Sequence, residues 1–330
     1  MNKYKSIIFL SASILISCGS AKKDNNNIEK TSNRITNEIK TEFNADSAYN
    51  YVAQQMEFGN RIPNTAEHKA TAQWLASELK RHGAQVITQD AKVTAYDGTT
   101  LEAINIIGSY NPEKTDRVLL YAHWDSRPFA DHEKDKQKQK LPVPGANDGA
   151  SGVGVLLEIA RQLNNIKTDK GIDIIFFDAE DYGTPEFYKG KHDENTWALG
   201  TQYWAKRLHK PGYRAKYGIL LDMVGAKDAT FKKEGFSKYY APNIQEEVWK
   251  TAKSLGHDNY FVEEDGGYIT DDHFYVNRML SIPSIDIIDL RSDTENGFYP
   301  YWHTTEDSLD KIDKNTLGAV GETVITYILK

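Results

Sequence analysis

The 330-residue chain is long enough for two domains, but single α/β domains of this size are common, and we interpret it as one domain. Its formal net charge of -7 and pI near 5.8 argue against a broad nucleic-acid surface, because such surfaces cluster Lys and Arg opposite phosphates. We therefore expect no nucleic-acid partner. The one dense basic stretch, residues 134–140, is expected to be a solvated loop.

The first residues have the pattern of a secretory signal. Lys3 and Lys5 precede an apolar stretch over residues 7–16, shorter than the about 20 residues that a transmembrane helix needs. The stretch leads into Leu-Ile-Ser-Cys at residues 15–18, which resembles the bacterial lipobox, where the cysteine is lipidated and becomes the mature N-terminus. The alternative is an ordinary secretory signal followed by an unrelated cysteine. We predict a signal peptide over residues 1–17 and lipidation of Cys18.

The segment after Cys18 is polar and poor in apolar residues, which predicts a flexible tether over residues 18–43 and a folded domain over residues 44–330. Gly19 stands where an Asp commonly retains lipoproteins at the inner membrane. The expected location is therefore periplasmic, at the outer membrane, with the lipid on Cys18 as the one membrane attachment. Because Cys18 is the only cysteine, any metal ligands must be His, Asp or Glu.

Two helices are predicted first, because apolar residues recur at helical spacing from Tyr49 to Phe58 and from Ala70 to Leu79. Later apolar runs indicate strands, and amphipathic patterns indicate helices between them. The predicted strands cover residues 86–93, 103–109, 118–122, 172–177, 217–221 and 284–290, and the later helices start at Ser151 or lie near 199–208, 244–255, 272–277 and 316–329. This alternation predicts an α/β fold with a mostly parallel sheet and helices on both faces.

Acidic and imidazole residues follow these apolar runs in chain order. They are His123, Asp125, Asp148, Glu180, Asp181, Asp222 and His303. Ligands bind in the crevice outside the carboxyl ends of the strands of an open α/β sheet. Histidine nitrogen and carboxylate oxygen are zinc ligands, and a catalytic zinc site keeps three protein ligands and one open position. The sequence therefore predicts a metal site at one edge of the sheet.

Four of these residues also have a simpler interpretation. Asp148, in the small-residue run GANDGASG, precedes a predicted helix and could serve only as its cap. The adjacent acids Glu180 and Asp181 could belong to an ordinary polar loop, and His303 could be a solvated loop residue. Their joint occurrence in order, each near a strand exit, favours the metal site.

The order of these motifs resembles a known superfamily. From about residue 45 to the end of the chain, the sequence is similar to the zinc-dependent aminopeptidase-like α/β hydrolases. The motifs that carry this similarity are, in order, HWD, NDGASG, the acidic pair, LLD and WHTTEDSLDKI. Within that superfamily the sequence resembles the glutaminyl cyclases, which convert N-terminal glutamine to pyroglutamate with loss of ammonia. The details that carry this are Asp222 followed by MVGA, the doubled acid before His273, and Trp302 directly before His303.

The resemblance implies a single α/β domain with a mixed, mostly parallel sheet of about six strands sandwiched by helices. It also implies one zinc ion held by Asp148, Asp181 and His303, which makes residues 44–330 a zinc-dependent catalytic domain. Animal cyclases have Glu at the second ligand position, whereas this chain has Asp181, one methylene shorter. The implied substrates are peptides or proteins with N-terminal glutamine.

The remaining site residues are also assigned by resemblance. Glu180 corresponds to the general acid/base that shuttles a proton. Asp222 and Asp272 correspond to catalytic acids that hydrogen-bond within the pocket, and we expect these two to lie close together. Asp271 beside them is expected to contact the substrate, and Trp197 and Trp302 are expected to form an aromatic wall.

Two alternatives remain open. In a dinuclear zinc aminopeptidase, His123 and Asp222 would bind a second zinc ion bridged by Asp148, and Glu180 would activate water. In a cyclase, His123 would not be a ligand, and Asp125 would orient it. A non-catalytic surface-binding lipoprotein on the same fold would require loss of ligands or base, and none is visibly lost.

Overall fold

The computed structural model describes residues 42–330. The predicted signal peptide, Cys18 and most of the predicted tether lie outside the described residues. The helices are α1 (Ala45–Glu57), α2 (Ala66–Arg81), α3 (Ala150–Leu163), α4 (Leu199–Lys206), α5 (Gly235–Tyr240), α6 (Pro242–Ser254), α7 (Asp272–Leu280) and α8 (Lys314–Leu329). The strands are β1 (Gln85–Thr94), β2 (Thr100–Tyr110), β3 (Arg117–His123), β4 (Gly171–Phe177), β5 (Tyr217–Asp222), β6 (Phe231–Lys233), β7 (Phe261–Asp265) and β8 (Ser284–Ile288).

Six of these strands form one mixed sheet in the order β1-β2-β4-β3-β5-β8. The strands β4, β3, β5 and β8 run parallel, whereas β1 and β2 form an antiparallel hairpin at one edge. The four parallel strands are buried along their whole length, which explains their nearly continuous apolar sequences. The predicted α/β fold with a mixed, mostly parallel sheet of six strands is confirmed.

Helices cover both faces of this sheet. Along β3, Val118 and Leu120 belong to the larger core, which includes apolar residues of α1, α3 and α8. Leu119 and Tyr121 alternate with them and belong to a second core with α4 and α7. Because the parallel strands all end at one edge, the side chains that follow them are brought together there.

Two features of the fold have no counterpart in the prediction. Strands β6 and β7 pair as a separate small sheet, and the short helix α5 follows β6. Three-residue β6 and six-residue α5 are too short to show a periodic pattern in sequence. No helix among residues 42–330 is long and apolar enough to cross a membrane.

The packing of α3 on β5 depends on a glycine. A Cβ at Gly152 would lie 2.1 Å from the backbone oxygen of Leu221. We expect Gly152→Ala to destabilise the protein by about 1–3 kcal/mol because backbone must move. The matched control is Gly318→Ala in α8, where the new Cβ would meet only Ala45 at 3.4 Å. There we expect a gain of up to about 1 kcal/mol from helix propensity. Urea unfolding followed by circular dichroism checks both, and equal stabilities would contradict the packing argument.

Candidate metal centre and active site

The predicted site residues converge at the carboxyl edge of the sheet. His123 and Asp222 are the last residues of β3 and β5, and Glu180 and Asp181 follow the end of β4 by a few residues. Ala179 and Met223, next to two of these acids, have positive φ angles of 51° and 50°. Such strained backbone is typical of functional sites, where surrounding structure holds it in place.

Asp148, Asp181 and His303 form the first group that could hold a metal ion. Their ligand atoms lie within 4.8 Å of one another, and all three residues are buried. His303 Nε2 is 3.2 Å from Asp181 Oδ1 and 3.6 Å from Asp148 Oδ2. Within residues 42–330, Asp181 Oδ2 has no hydrogen-bond partner. Two buried carboxylates and an imidazole that converge in this way suit a zinc ion.

His123, Asp148 and Asp222 form a second group of the same kind, and Asp148 belongs to both groups. His123 Nε2 lies 3.0 Å from Asp148 Oδ1 and 3.2 Å from Asp222 Oδ1. Burial alone would lower the pKa of His123, but its contacts with these acids and Asp125 outweigh burial and raise it well above its usual value. Burial also raises the pKa of Asp222 to about 6. The geometry therefore offers either an imidazole–carboxylate hydrogen bond or a second metal position.

Asp125 has a different main contact from the one predicted. Its carboxylate accepts hydrogen bonds from the backbone amides of Glu180 and Asp181, both at 3.1 Å. Its closest approach to His123 Nδ1 is 3.5 Å. Asp125 therefore holds the segment that carries the acidic pair, and its contact with His123 is the weaker one.

The loop that carries Asp148 is held by two buried residues. Asp307 accepts hydrogen bonds from the amides of Asn147 and Asp148 at 2.9 and 3.0 Å. Arg61 donates to the carbonyl of Gly145 at 2.6 Å and is fully buried. The N-cap position of α3 belongs to Gly149, and no side chain of the described residues hydrogen-bonds as its cap. The interpretation of Asp148 as a mere helix cap is therefore wrong.

Glu180 has the properties of a proton carrier. It is 8% exposed and lines the same cavity as Asp148 and Asp181. Burial, reinforced by the nearby negative charge of Asp271, raises the pKa of Glu180 well above its usual value. A carboxyl group with a raised pKa can both accept and donate a proton near neutral pH.

The structure contradicts the predicted arrangement of Asp271 and Asp272. Asp271 lines the cavity beside Asp222, and burial together with the charge of Asp222 raises its pKa to about 7. Asp272 is fully buried and does not line the cavity. Its pKa is raised to about 8 by burial and then by Asp271. The acid that lines the cavity with Asp222 is thus Asp271 and not Asp272. Asp271 is the N-cap residue of α7, whereas Asp272 is the first residue of the helix and is buried away from the cavity.

Trp197 and Trp302, the two residues of the predicted aromatic wall, both line the cavity. Trp302 stacks on His303 with ring centroids 3.7 Å apart, and Trp197 lies nearly parallel to His303 at 6.0 Å. The cavity has a volume of about 230 Å³. Its other apolar lining residues, which the sequence interpretation missed, are Met223, Ile269, Ile288 and Phe298.

A buried glutamate, Glu234, holds the segment that carries Asp271. Its carboxylate accepts hydrogen bonds from the amides of Ser237 and Ile269 and lies 2.9 Å from His273 Nε2. Burial alone would raise the pKa of Glu234, but the charge and hydrogen bond of His273, with the bonds from Ser237, lower it to about 2. The segment is therefore tied to α5 by a carboxylate that stays ionised in mild acid.

The lowered pKa of Glu234 means that its ionised carboxylate stabilises the folded protein. This contribution is present above the unfolded pKa of about 4.5 and is lost as the pH falls towards 2. The shift corresponds to about 3 kcal/mol. We expect Glu234→Gln to be less stable than wild type at neutral pH, and the difference to shrink on acidification below about pH 4.5. Urea unfolding at several pH values checks this. Glu264→Gln, at an exposed glutamate of β7, should follow wild type throughout. A deficit for Glu234→Gln that does not change with pH would contradict this account.

The fold and the site together define the class of protein. It is a zinc exopeptidase-like α/β protein, with a mixed sheet between helices and with candidate metal-binding Asp and His residues at the carboxyl edge of that sheet. The chain matches Peptidase family M28 over residues 105–328 and belongs to that family. It is 30% identical over 265 residues to aminopeptidase YwaD of Bacillus subtilis, covering 76% of this chain. The match spans 50% of the length of that relative.

Two solved structures are much more similar. A Zn-dependent exopeptidase from Parabacteroides distasonis is 57% identical, with a TM-score of 0.87, and the match covers 88% of this chain and 99% of that chain. A glutaminyl cyclase from Bacteroides thetaiotaomicron, solved with N-acetylhistamine bound, is 54% identical with the same TM-score and coverage. The predicted resemblance to the zinc aminopeptidase-like superfamily and, within it, to glutaminyl cyclases is confirmed, and the solved cyclase that is similar here is bacterial.

Proposed function

We propose that this protein is a glutaminyl cyclase that converts the N-terminal glutamine of peptides and proteins to pyroglutamate and releases ammonia. The observation that carries the proposal is the arrangement of the cavity. The buried acids Glu180, Asp222 and Asp271 face the group Asp148, Asp181 and His303 between apolar walls. The solved glutaminyl cyclase at 54% identity supports it.

The metal centre of this proposal is one zinc ion bound by Asp148, Asp181 and His303. A zinc ion there would act as a Lewis acid that polarises the γ-carbonyl of the substrate glutamine. Asp148 and Asp181 are buried, so little of either side chain is exposed to bulk water. His123 then serves as a hydrogen-bond partner of Asp222, and its Nε2 lies 3.0 Å from Asp148 Oδ1.

Glu180 carries the proton in this reaction. The α-amine of glutamine attacks its own γ-carbonyl carbon, a nitrogen–carbon bond forms, and Glu180 takes the proton that the amine loses. The amide carbon–nitrogen bond then breaks, and the same proton goes to the leaving nitrogen, which departs as ammonia. Asp222 and Asp271 lie beside the cavity with raised pKa values of about 6 and about 7, so they can hydrogen-bond to the substrate amine or to Glu180.

The apolar walls favour cyclisation over hydrolysis. Trp197 and Trp302 both line the cavity next to the ring of His303, and both are only partly exposed. A small cavity with indole walls keeps water away from the polarised carbonyl.

The second candidate function is a dinuclear aminopeptidase. The group His123, Asp148 and Asp222 favours it, because these residues could hold a second ion beside the first. In that case Glu180 would activate water, and the product would be a free amino acid. Mass spectrometry of a Gln-initiated peptide after incubation separates the two functions. The cyclase yields a peptide of unchanged residue number that has lost ammonia, and the aminopeptidase yields a peptide one residue shorter.

We propose also that the protein is a periplasmic lipoprotein of the outer membrane, anchored through Cys18. The lipobox-like residues 15–18 and Gly19 support this proposal. We expect a Cys18→Ala variant to leave the membrane fraction while keeping its activity, because the predicted anchor is separate from the folded domain. Cell fractionation followed by immunoblotting measures it, and a variant that still sediments with membranes would count against the anchor.

A further inference from the structure

Arg127 is buried beside the first candidate metal group and contacts one member of that group, Asp181, directly. The side chain is 1% exposed and lies in the segment that follows β3. Its guanidinium group donates two parallel hydrogen bonds to Asp131, from Nε at 2.8 Å and from the second terminal nitrogen at 2.7 Å. The first terminal nitrogen donates to the carbonyl oxygen of Asp181 at 2.9 Å and lies 3.5 Å from its carboxylate.

Asp131 extends the contact to the histidine of the group. Asp131 Oδ1 lies 3.4 Å from His303 Nδ1, on the side of the ring opposite to the nitrogen that faces Asp148 and Asp181. A histidine that binds a metal through one nitrogen typically presents the other to a carboxylate, which fixes the orientation of the ring. Arg127 in turn fixes Asp131 through its two parallel bonds.

The same guanidinium group supports the wall of the cavity. Its central carbon lies 4.7 Å from the ring centroid of Trp197. Trp197 also packs on Gly183, where a Cβ would lie 2.1 Å from the indole ring. One planar cation therefore touches Asp181 directly, His303 through Asp131, and the indole that stacks parallel to His303.

We propose that Arg127 is a positioning residue of the metal centre, which sets the relative placement of Asp181, His303 and Trp197. This role rests on the metal centre of the proposed function, not on the cyclisation reaction. The planar fork of arginine makes it possible, because lysine offers one point charge and cannot make the paired bonds to Asp131 while it also reaches Asp181 and stacks on Trp197.

The test measures zinc affinity by chelator competition on the full chain, without substrate. We expect Arg127→Lys to bind zinc about 10- to 100-fold more weakly than wild type, the usual effect of losing an outer contact of a metal ligand. The matched control is Arg117→Lys. Arg117 is also buried and makes the same two parallel bonds to Asp173, at 2.7 and 2.6 Å, but at the opposite end of β3. Its loss should lower the unfolding temperature and leave zinc affinity unchanged.

Asp131→Asn provides a second reading that keeps the shape of the side chain. It should also weaken zinc binding, and circular dichroism of the zinc-free protein confirms that each variant is folded. If Arg127→Lys binds zinc as tightly as wild type, the proposed role of Arg127 is overturned. If that variant does not fold, wild-type zinc affinity in Asp131→Asn overturns the role instead. An equal loss in Arg117→Lys overturns it as well, because the effect would then be one of general stability. If the wild-type protein binds zinc tightly but releases no ammonia, the proposed cyclase activity is contradicted. The zinc-affinity comparison of the variants still tests the role of Arg127 in that case.

Discussion

Replacing Glu180 with Gln is expected to reduce ammonia release from a Gln-initiated peptide by about a thousandfold, within the range for loss of a general acid/base. The amide cannot take the proton from the attacking amine or pass it to the leaving nitrogen. Glu180 is outside the group Asp148, Asp181 and His303, so the variant should bind zinc and fold as wild type does. The measurement is kcat for ammonia release, with zinc content and unfolding temperature determined on the same preparation.

Glu186→Gln is the matched control for this experiment. Glu186 lies on the same loop, and its exposed side chain does not line the cavity. Its replacement should leave kcat unchanged. Turnover that persists in Glu180→Gln with zinc still bound would refute the assigned role.

The second large effect is expected at Asp271. Its carboxyl group lines the cavity and has a pKa raised to about 7 by burial and by Asp222, so it can share a proton at the reacting side. We expect Asp271→Asn to lower kcat by about a hundredfold, since the amide hydrogen-bonds but does not exchange a proton in this way. Steady-state kinetics on the same peptide measure it.

Asp272→Asn is the control, one residue further along the chain. Asp272 is fully buried away from the cavity, and its pKa of about 8 makes it mainly a neutral acid at pH 7. Asn has nearly the same shape as that neutral acid, so kcat should remain close to wild type. A larger loss at Asp272 than at Asp271 would restore the assignment that the sequence suggested and contradict the structural one.

The strands that build the site were predictable because their burial gives them a recognisable, almost continuously apolar sequence. The four parallel strands are covered on both faces, so their sequences are almost continuously apolar, and the polar residues that follow stand out. His123 and Asp222 could be placed at the strand ends for this reason. Asp148 and His303 lie in loops, and the resemblance of their motifs to a known superfamily was needed to connect them.

Side-chain direction was not predictable in the same way. Asp271 and Asp272 are identical in type and adjacent in sequence, and only the start of α7 determines which carboxyl enters the cavity. Arg127 and Asp131 were missed because an Arg and an Asp four residues apart in a loop are common on protein surfaces. Here both are buried, and their meaning depends on the distant residues His303 and Asp181. Such contacts exist only once the chain has folded.

Zinc titration of the metal-free protein tests the central claim most directly, with ammonia release and amino-acid release followed on the same panel of Gln-initiated dipeptides. The cyclase account predicts that ammonia release rises to its full value with one equivalent of zinc, held by Asp148, Asp181 and His303, and that no amino acids are released. Full activity only at two equivalents, with free amino acids as the product, would show that His123 and Asp222 hold a second ion and would contradict the account.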